Sequence, residues 1–234
     1  MNTHSKTALI TGANRGIGYE TAKQLKALGF QVILSARNLQ KGLTAAKDLG
    51  VDFLLMDVSD ENSISTAASE YLQRFGSSLD LLINNAGIFP DQEDSILNVT
   101  ADLVNQAFIT NTIGPMLVTQ KFLLMLENSN SENGARVINL ASNIGQLSTM
   151  SNIAPAYSIS KAALNALTIQ QATALVDKNI IVNSVSPGWV RTDMGGENAE
   201  LSVEQGADSL IWLATEAPKS ISGAFIRDRE QIGW

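Results

Sequence analysis

The sequence predicts an α/β fold in which a doubly wound parallel sheet of about seven strands carries helices on both faces. Short apolar runs alternate with stretches of helical length, and most runs are apolar on both faces, as parallel strands buried on two sides are. An eight-stranded barrel would need roughly 250 residues and two more β-α units. We therefore expect a single domain over residues 1–234.

The apolar runs define the expected strands, and the segments between them define the expected helices. Strands are predicted at 7–11, 30–36, 52–58, 79–87, 135–142, 179–188 and 222–228. Helices are predicted at 16–29, 38–49, 60–76, 100–127, 155–177 and 202–216. Asp60 and Ser202 are candidate N-caps, and Gly29 and Gly50 stand where C-terminal caps belong.

The composition argues against several classes of function. The chain has a formal net charge of -7 and no cysteine, so nucleic acid is not expected as the main partner, and disulfides and thiolate chemistry are excluded. The single histidine, His4, is interpreted as a flexible terminal residue, and no metal site is expected. Because no stretch approaches the ~20 apolar residues of a spanning helix, we expect no membrane partner and a cytoplasmic location.

Three glycines follow the first apolar run, in the segment "TGANRGIG" (11–18). Gly12, Gly16 and Gly18 stand where the chain would leave a strand and enter a helix. Helix N-terminal amides favour an anion there, and glycines let the backbone approach a pyrophosphate. The loop therefore favours a dinucleotide site, with a tight turn that binds no ligand as the alternative.

The end of the second expected strand carries an arginine where many dinucleotide-binding folds carry an acidic residue. A carboxylate would repel a 2′-phosphate, whereas arginine donors can clamp it. Arg15 and Arg37 thus favour NADP(H), with two solvated arginines as the alternative. Asp57 is expected to accept a hydrogen bond from the adenine amino group above Val58, although a turn or cap role fits its spacing equally well.

The segment "YSISK" (157–161) places Tyr157 and Lys161 on one face of an expected helix. We expect the ammonium to lower the tyrosine pKa, so that the phenol acts as general acid or base near neutrality. Ser142, at the end of the preceding strand, could donate to a substrate carbonyl oxygen. Taken singly, a helix-surface pair and a local serine turn remain the alternatives.

Six ordered motifs resemble those of the short-chain dehydrogenase/reductase family over essentially the whole chain. They are "TGANRGIG" (11–18), "NNAG" (84–87), "NTIG" (111–114), "INLAS" (138–142), "YSISK" (157–161) and "SPGWVRTDM" (186–194). The sequence is most similar to the carbonyl-reductase-like branch, which includes sniffer-type and C-factor-type proteins. The resemblance implies a Rossmann fold and NADPH-dependent reduction of a carbonyl compound. Ala141 departs from the serine that many members have there, and we expect little effect.

The resemblance also implies roles for individual residues. Asn111, Ser142, Tyr157 and Lys161 correspond to the catalytic set, in which Asn111 holds a water that relays protons to the lysine. Val190 corresponds to a residue whose backbone binds the carboxamide. The cofactor-binding residues, from the resemblance together with the two arginines, Asp57 and Val58, are Gly12, Asn14, Arg15, Gly16, Ile17, Gly18, Arg37, Asp57, Val58, Asn85, Ala86, Gly87, Tyr157, Lys161, Pro187, Gly188, Val190 and Thr192.

The expected substrate is a small apolar ketone, aldehyde or quinone. The candidate pocket residues are Asn143, Ile144, Trp189 and Met194, with Ile88, Phe89, Met150 and Ile153 as further candidates, and ordinary packing is the alternative for each. Family members often carry a longer lid than the short segment between Met194 and Ser202, so the resemblance implies an open site. There is also no room between Ser142 and Tyr157 for the extra helix of monomeric carbonyl reductases. The resemblance therefore implies a homodimer that pairs the helices around 100–127 and 155–177.

Two other functions stay open at this point. The first is a 3-oxoacyl-type or other hydroxy-compound reductase of the same family. The second is a signalling protein that binds NADP without turnover, which would be expected to lack part of the catalytic set.

Overall fold

The computed structural model describes residues 5–234, and His4 lies outside the described residues. Within them, eight strands form one sheet in the order β3-β2-β1-β4-β5-β6-β7-β8. The strands are β1 (Thr7–Ile10), β2 (Gln31–Ala36), β3 (Asp52–Leu55), β4 (Leu81–Asn84), β5 (Ala135–Leu140), β6 (Ile180–Val185), β7 (Phe225–Arg227) and β8 (Glu230–Ile232). Every neighbouring pair is parallel except β7 and β8. The predicted parallel sheet is confirmed.

Helices cover both faces of the sheet. They are α1 (Gly16–Ala27), α2 (Leu39–Leu49), α3 (Glu61–Phe75), α4 (Ala101–Phe108), α5 (Gly114–Lys121), α6 (Leu123–Glu127), α7 (Pro155–Leu175) and α8 (Val203–Thr215). Alternation along β1 shows the two layers: Ala8 and Ile10 pack with α1, α2 and α8, whereas Leu9 packs with α3, α5, α6 and α7. No helix within residues 5–234 is long and apolar enough to cross a membrane.

The predicted helix caps are present. The Asp60 side chain accepts from the Asn62 N–H, and Ser202 exchanges hydrogen bonds with Gln205 in a capping box. Gly29 and Gly50 adopt the left-handed φ values of +86° and +61° that end a helix. These short-range signals fix where the helices begin and end.

The sequence analysis missed strand β8. It pairs with β7 through a turn at Asp228 and Arg229, which both have positive φ, +51° and +62°. A two-residue hairpin turn usually contains a glycine, which makes it recognisable in the sequence. The Arg229 N–H donates to the Ser209 hydroxyl, and its guanidinium pairs with Asp208, so contacts with α8 hold the turn.

The helix predicted over 100–127 is divided in the structure. A π-helical turn at Ile109–Ile113 separates α4 from α5, and Phe122 leaves helical geometry before α6. A Cβ on Gly114 would lie 2.7 Å from the Val58 carbonyl, so the chain passes close to the loop after β3 at this point. Periodicity alone does not distinguish a continuous helix from one with an inserted wide turn.

Three predicted strands end three residues earlier than expected. β3 ends at Leu55, β4 at Asn84 and β6 at Val185. The apolar runs continue past these points because the loops that follow are also partly buried. As a consequence, residues 56–58, 85–88 and 186–190 are loops at the carboxyl edge of the sheet, where ligands of such folds bind.

Candidate active site

The loops at the carboxyl edge of the sheet enclose a cleft of about 400 Å³. Residues expected at the cofactor or substrate that line it are Gly12, Asn14, Arg15, Gly16, Ile17, Arg37, Asp57, Val58, Asn85, Ala86, Gly87, Ile88, Thr192 and Met194. Residues that sequence analysis missed also line it: Met56, Thr110, Leu140, Arg191, Asp193 and Val203. The tertiary structure thus brings most of the expected cofactor residues into one concavity.

The glycine loop packs directly on the loop after β4. Gly12 and Gly16 have φ values of +63° and +60°, which side chains of L-residues rarely adopt. A Cβ on Gly12 would lie 2.8 Å from the Ala86 Cα, and one on Gly18 would lie 2.4 Å from the Asn85 Nδ2. Close approach to protein backbone and side chain is therefore a second reason for these glycines.

Hydrogen bonds join the two loops. The Thr11 hydroxyl accepts from the backbone N–H of both Asn85 and Ala86 at 3.0 Å. The Asn85 Nδ2 donates to the carbonyl oxygens of Thr11 and Gly12 at 2.7 and 3.1 Å. Asn85 thereby fixes the glycine loop against the end of β4.

Charged side chains stand at the mouth of the cleft. Arg15 forms an ion pair with Asp193, and both side chains are largely exposed. Arg37 is also exposed and lines the same cleft. One Asp57 oxygen accepts from the Ser59 N–H and hydroxyl, at 2.9 and 2.6 Å, in a turn. Asp57 therefore has the turn role foreseen as an alternative, while still lining the cleft.

Helix α7 carries the expected catalytic pair at its N-terminal end. Tyr157 and Lys161 are one turn apart and buried, with 8% and 3% exposure. The Lys161 Nζ donates to the Leu140 carbonyl at 2.6 Å and lies 5.6 Å from the centre of the Tyr157 ring. Ser142 follows β5, and its hydroxyl accepts from the Ile144 N–H at 3.4 Å and lies close enough to Tyr157 to lower the pKa of that phenol. The end of β5 and the first turn of α7 thus bring together a phenol, an amine and a hydroxyl.

Burial sets the ionisation of this pair, contrary to our expectation. The pKa of Tyr157 is raised to about 12 by burial, and a hydrogen bond with Ser142 opposes that shift. The pKa of Lys161 is lowered to about 7, again by burial. The predicted lowering of the tyrosine pKa by the ammonium is not found in this structure, because removal from water disfavours the charged form of both groups.

Asn111 lies fully buried in the π-helical turn between α4 and α5. Its Oδ1 accepts from the Ile88 N–H at 2.8 Å, and its Nδ2 donates to the Ile88 carbonyl at 2.9 Å. The same Nδ2 donates to the Ser160 hydroxyl at 3.0 Å. Asn111 therefore connects the loop after β4 to α7, and its role in a proton relay stays a prediction.

The first part of the segment after β6 packs against α8, whereas residues 191–194 line the cleft. A Cβ on Gly206 of α8 would lie 2.6 Å from the Val190 Cγ2, and Val190 is buried. Gly188 has a φ of +78° and lies against Leu201. The side chain of Val190 therefore packs on the helix, and neither it nor Pro187 nor Gly188 lines the cleft itself.

Ile88 and Met194 line the cleft, whereas the other expected substrate residues and the expected catalytic residues Ser142, Tyr157 and Lys161 do not. The Phe89 ring stacks on the Tyr157 ring, with centroids 4.5 Å apart. Ile144 lies in the short 3-10 turn that follows Ser142. The Asn143 N–H donates to the Ser186 hydroxyl, and the Trp189 Nε1 donates to the Gly195 carbonyl. Met150 is half-buried and Ile153 is exposed, while Met194 lines the cleft.

Comparisons with known proteins agree with this geometry. A family model described as short chain dehydrogenase matches residues 6–202. The short-chain dehydrogenase anuI of Penicillium roqueforti is 35% identical, over 97% of this chain and 96% of its own. The structure of NADPH-bound carbonyl reductase from chicken fatty liver has a TM-score of 0.90 and 32% identity, covering 99% of this chain and all of that one. The carbonyl reductase Sniffer of D. melanogaster has the same TM-score and coverage at 27% identity.

The fold and the cleft define an α/β oxidoreductase of the doubly wound type. The chain belongs to the short-chain dehydrogenase family. Within that family it resembles the carbonyl reductases, as the sequence motifs indicate.

The burial of Lys161 predicts a pH-dependent stability. Its pKa is about 7 when folded, against 10.5 for a solvated lysine, so unfolding takes up a proton between these values. The free energy of unfolding should therefore rise by about 1 kcal/mol per pH unit from pH 7 to pH 9.5, relative to Lys161→Met. Urea unfolding of both proteins at several pH values measures the difference. A difference that stays constant with pH would contradict the burial argument.

Proposed function

We propose that this protein is an NADPH-dependent carbonyl reductase that converts a ketone, aldehyde or quinone to an alcohol. The observation that carries the proposal is the buried Tyr157–Lys161 pair, whose lysine donates to the carbonyl of Leu140, a residue that lines the same cleft as two arginines. Such a site combines a proton donor, a hydroxyl for a carbonyl oxygen and cations for phosphate groups.

The residues present fit a dinucleotide with a 2′-phosphate. Gly12 and Gly16 hold a left-handed backbone at the start of α1, where helix amides favour a pyrophosphate. Arg15 and Arg37 supply exposed guanidinium groups for the additional phosphate. When bound, NADPH supplies the hydride for the carbonyl carbon. The similarity to a carbonyl reductase solved with NADPH supports this cofactor.

The chain's own residues supply the proton and hold the carbonyl oxygen. Burial keeps the Tyr157 phenol protonated at neutral pH, which is the form that a general acid needs. Ser142, next to that phenol, donates to the oxygen as negative charge develops on it. Lys161, held on the Leu140 carbonyl, stands close enough to favour the phenolate when it carries its proton, and resupplies the proton together with Asn111.

The substrate that suits the site is apolar and uncharged. Phe89 stacks on the Tyr157 ring, and Met194 is a partly exposed apolar residue that lines the cleft. A 3-oxoacyl thioester reductase is the second candidate within the family, and assays on acyl thioesters against simple aldehydes and quinones separate the two. A purely NADP-binding signalling protein would bind NADPH tightly and reduce nothing on such a panel.

Removing the Tyr157 hydroxyl should abolish most of the reaction. Tyr157→Phe is expected to lower kcat for NADPH-dependent carbonyl reduction by about 100- to 10,000-fold, because the proton donor is lost. NADPH binding, measured by fluorescence titration, should change little. Tyr71→Phe is the matched control, since Tyr71 is a buried phenol whose hydroxyl bonds to the Ser78 carbonyl away from the cleft. Retention of most activity in Tyr157→Phe would disprove this assignment.

Removing the Arg37 guanidinium should erase the preference between the two nicotinamide cofactors. Arg37→Ala is expected to raise the Kd of NADPH by about 10- to 100-fold, because the hydrogen-bonded ion pair between the guanidinium and the 2′-phosphate is lost. The Kd of NADH should stay within about 2-fold, because NADH lacks the 2′-phosphate. Fluorescence titrations of both cofactors test this. A wild-type protein that binds NADH as tightly as NADPH would show that neither arginine selects the cofactor.

We further propose that the protein forms a homodimer through α4, α5 and α7. Ile159 and Ile169 of α7 and Ile109 and Ile113 of the neighbouring π-helical turn are each at least 36% exposed. Ile169→Glu is expected to weaken dimerisation by about 100-fold, because it would bury an unpaired charge. Light scattering over a dilution series measures the mass. Leu97→Glu, at a leucine 93% exposed elsewhere, is the control. A wild-type monomer at all concentrations would refute the dimer.

A further inference from the structure

The segment from Ile88 to Asp91, which follows the "NNAG" motif, contacts the start of the catalytic helix repeatedly. Ile88 is joined to Ser160 of α7 through the Asn111 side chain. Phe89 stacks on the Tyr157 ring. Asp91 reaches the first turn of α7 itself. The Ile88–Asp91 segment thus contacts α7, the helix that carries both Tyr157 and Lys161.

Asp91 is almost completely buried, with 1% exposure. Its Oδ2 accepts from the Ala156 N–H at 2.5 Å, and its Oδ1 accepts from the Tyr157 N–H at 3.2 Å. The carboxylate therefore holds the backbone of the tyrosine that we place at the reacting carbonyl, from 66 residues away in the sequence.

The start of α7 requires such an outside acceptor. The amides of a helix's first turn have no carbonyl partner within the helix. The residue at the N-cap position is Ala154, whose methyl group cannot accept a hydrogen bond and whose φ of +46° lies in the left-handed region. A carboxylate is the strongest acceptor for these amides, and the helix dipole favours its negative charge. Asp91 supplies what the local sequence of α7 lacks.

We propose that Asp91 is a positioning residue for Tyr157. It anchors the tyrosine backbone, while Phe89 from the same segment restricts the tyrosine ring. This inference rests on the proposed reductase function. A shift of about 1 Å in a reacting group can cost on the order of 100-fold in rate. Loss of the anchor should therefore appear in kcat rather than in cofactor binding, because Asp91 does not itself line the cleft in which the cofactor is expected.

The chain offers a matched control in Asp80. This aspartate is also buried, with 5% exposure, and its carboxylate accepts from the Thr7 N–H, the Ser131 N–H and the Ser129 hydroxyl at 2.8, 3.0 and 2.6 Å. Asp80 lies just before β4, at the opposite edge of the sheet from the cleft. Its removal tests what the loss of a buried carboxylate does to this fold without touching α7.

The experiment compares Asp91→Asn, Asp91→Ala and Asp80→Asn in steady-state carbonyl reduction. We expect Asp91→Ala to lower kcat by about 100-fold and Asp91→Asn, which retains one acceptor oxygen, by about 10-fold. The KM for NADPH should change by less than about 2-fold in both. Asp80→Asn should lose thermal stability and keep its kcat. A kcat for Asp91→Asn and Asp91→Ala within 2-fold of wild type, or an equal loss in Asp80→Asn, would overturn the proposal.

Amide hydrogen exchange separates this inference from the proposed function. The Ala156 and Tyr157 amides should exchange faster in Asp91→Asn than in wild type, and at the wild-type rate in Asp80→Asn. If the wild-type protein reduces no carbonyl compound, the reductase function fails, and a positioning role in that reaction fails with it. Accelerated exchange would then still identify Asp91 as the anchor of α7. Unchanged exchange in the Asp91 variant would overturn the anchor itself, whatever the activity.

Discussion

The cleft depends on the hydrogen bonds that tie the glycine loop to the end of β4. Asn85 donates two of these bonds to Thr11, and Gly18 is glycine because the Asn85 side chain fills the space where a Cβ would stand. A loop with left-handed residues is costly to hold in one conformation unless its surroundings determine it. Here the neighbouring loop does so, and the start of α1 stays open to a ligand.

A buried chain of amide side chains extends this restraint from the sheet to α7, which carries Tyr157 and Lys161. The Asn84 Nδ2 donates to the Asn139 Oδ1, and the Asn139 Nδ2 donates to the Thr168 hydroxyl and the Gln171 Oε1 on α7. Hydrogen bonds in the dry interior are strong and costly to leave unmade, so these bonds fix the position of α7 relative to β5. They hold the body of α7 on β5, whereas the segment after β4 holds its first turn.

The site is dry at one end and wet at the other. Tyr157 and Lys161 are buried, and burial governs the pKa of each. Arg15 and Asp193, in contrast, form their ion pair in contact with solvent, where such a pair contributes little stability and exchanges partners readily. Proton transfer suits the first environment, and capture and release of an anionic cofactor suit the second. The parallel sheet places both along one edge.

The sequence by itself determined the alternating β-α order, the helix caps and the glycine loop, because each depends on residues close together in the chain. It also indicated the four expected catalytic residues through motif spacing. The tertiary structure decided the rest. The turn before strand β8 lacks the glycine that is typical of a tight hairpin, and the long helix is divided where its periodicity gives no signal. The pKa of Tyr157 follows from burial. Asp193 and Asp91 act on partners 178 and 65 residues away, and only folding brings such pairs together.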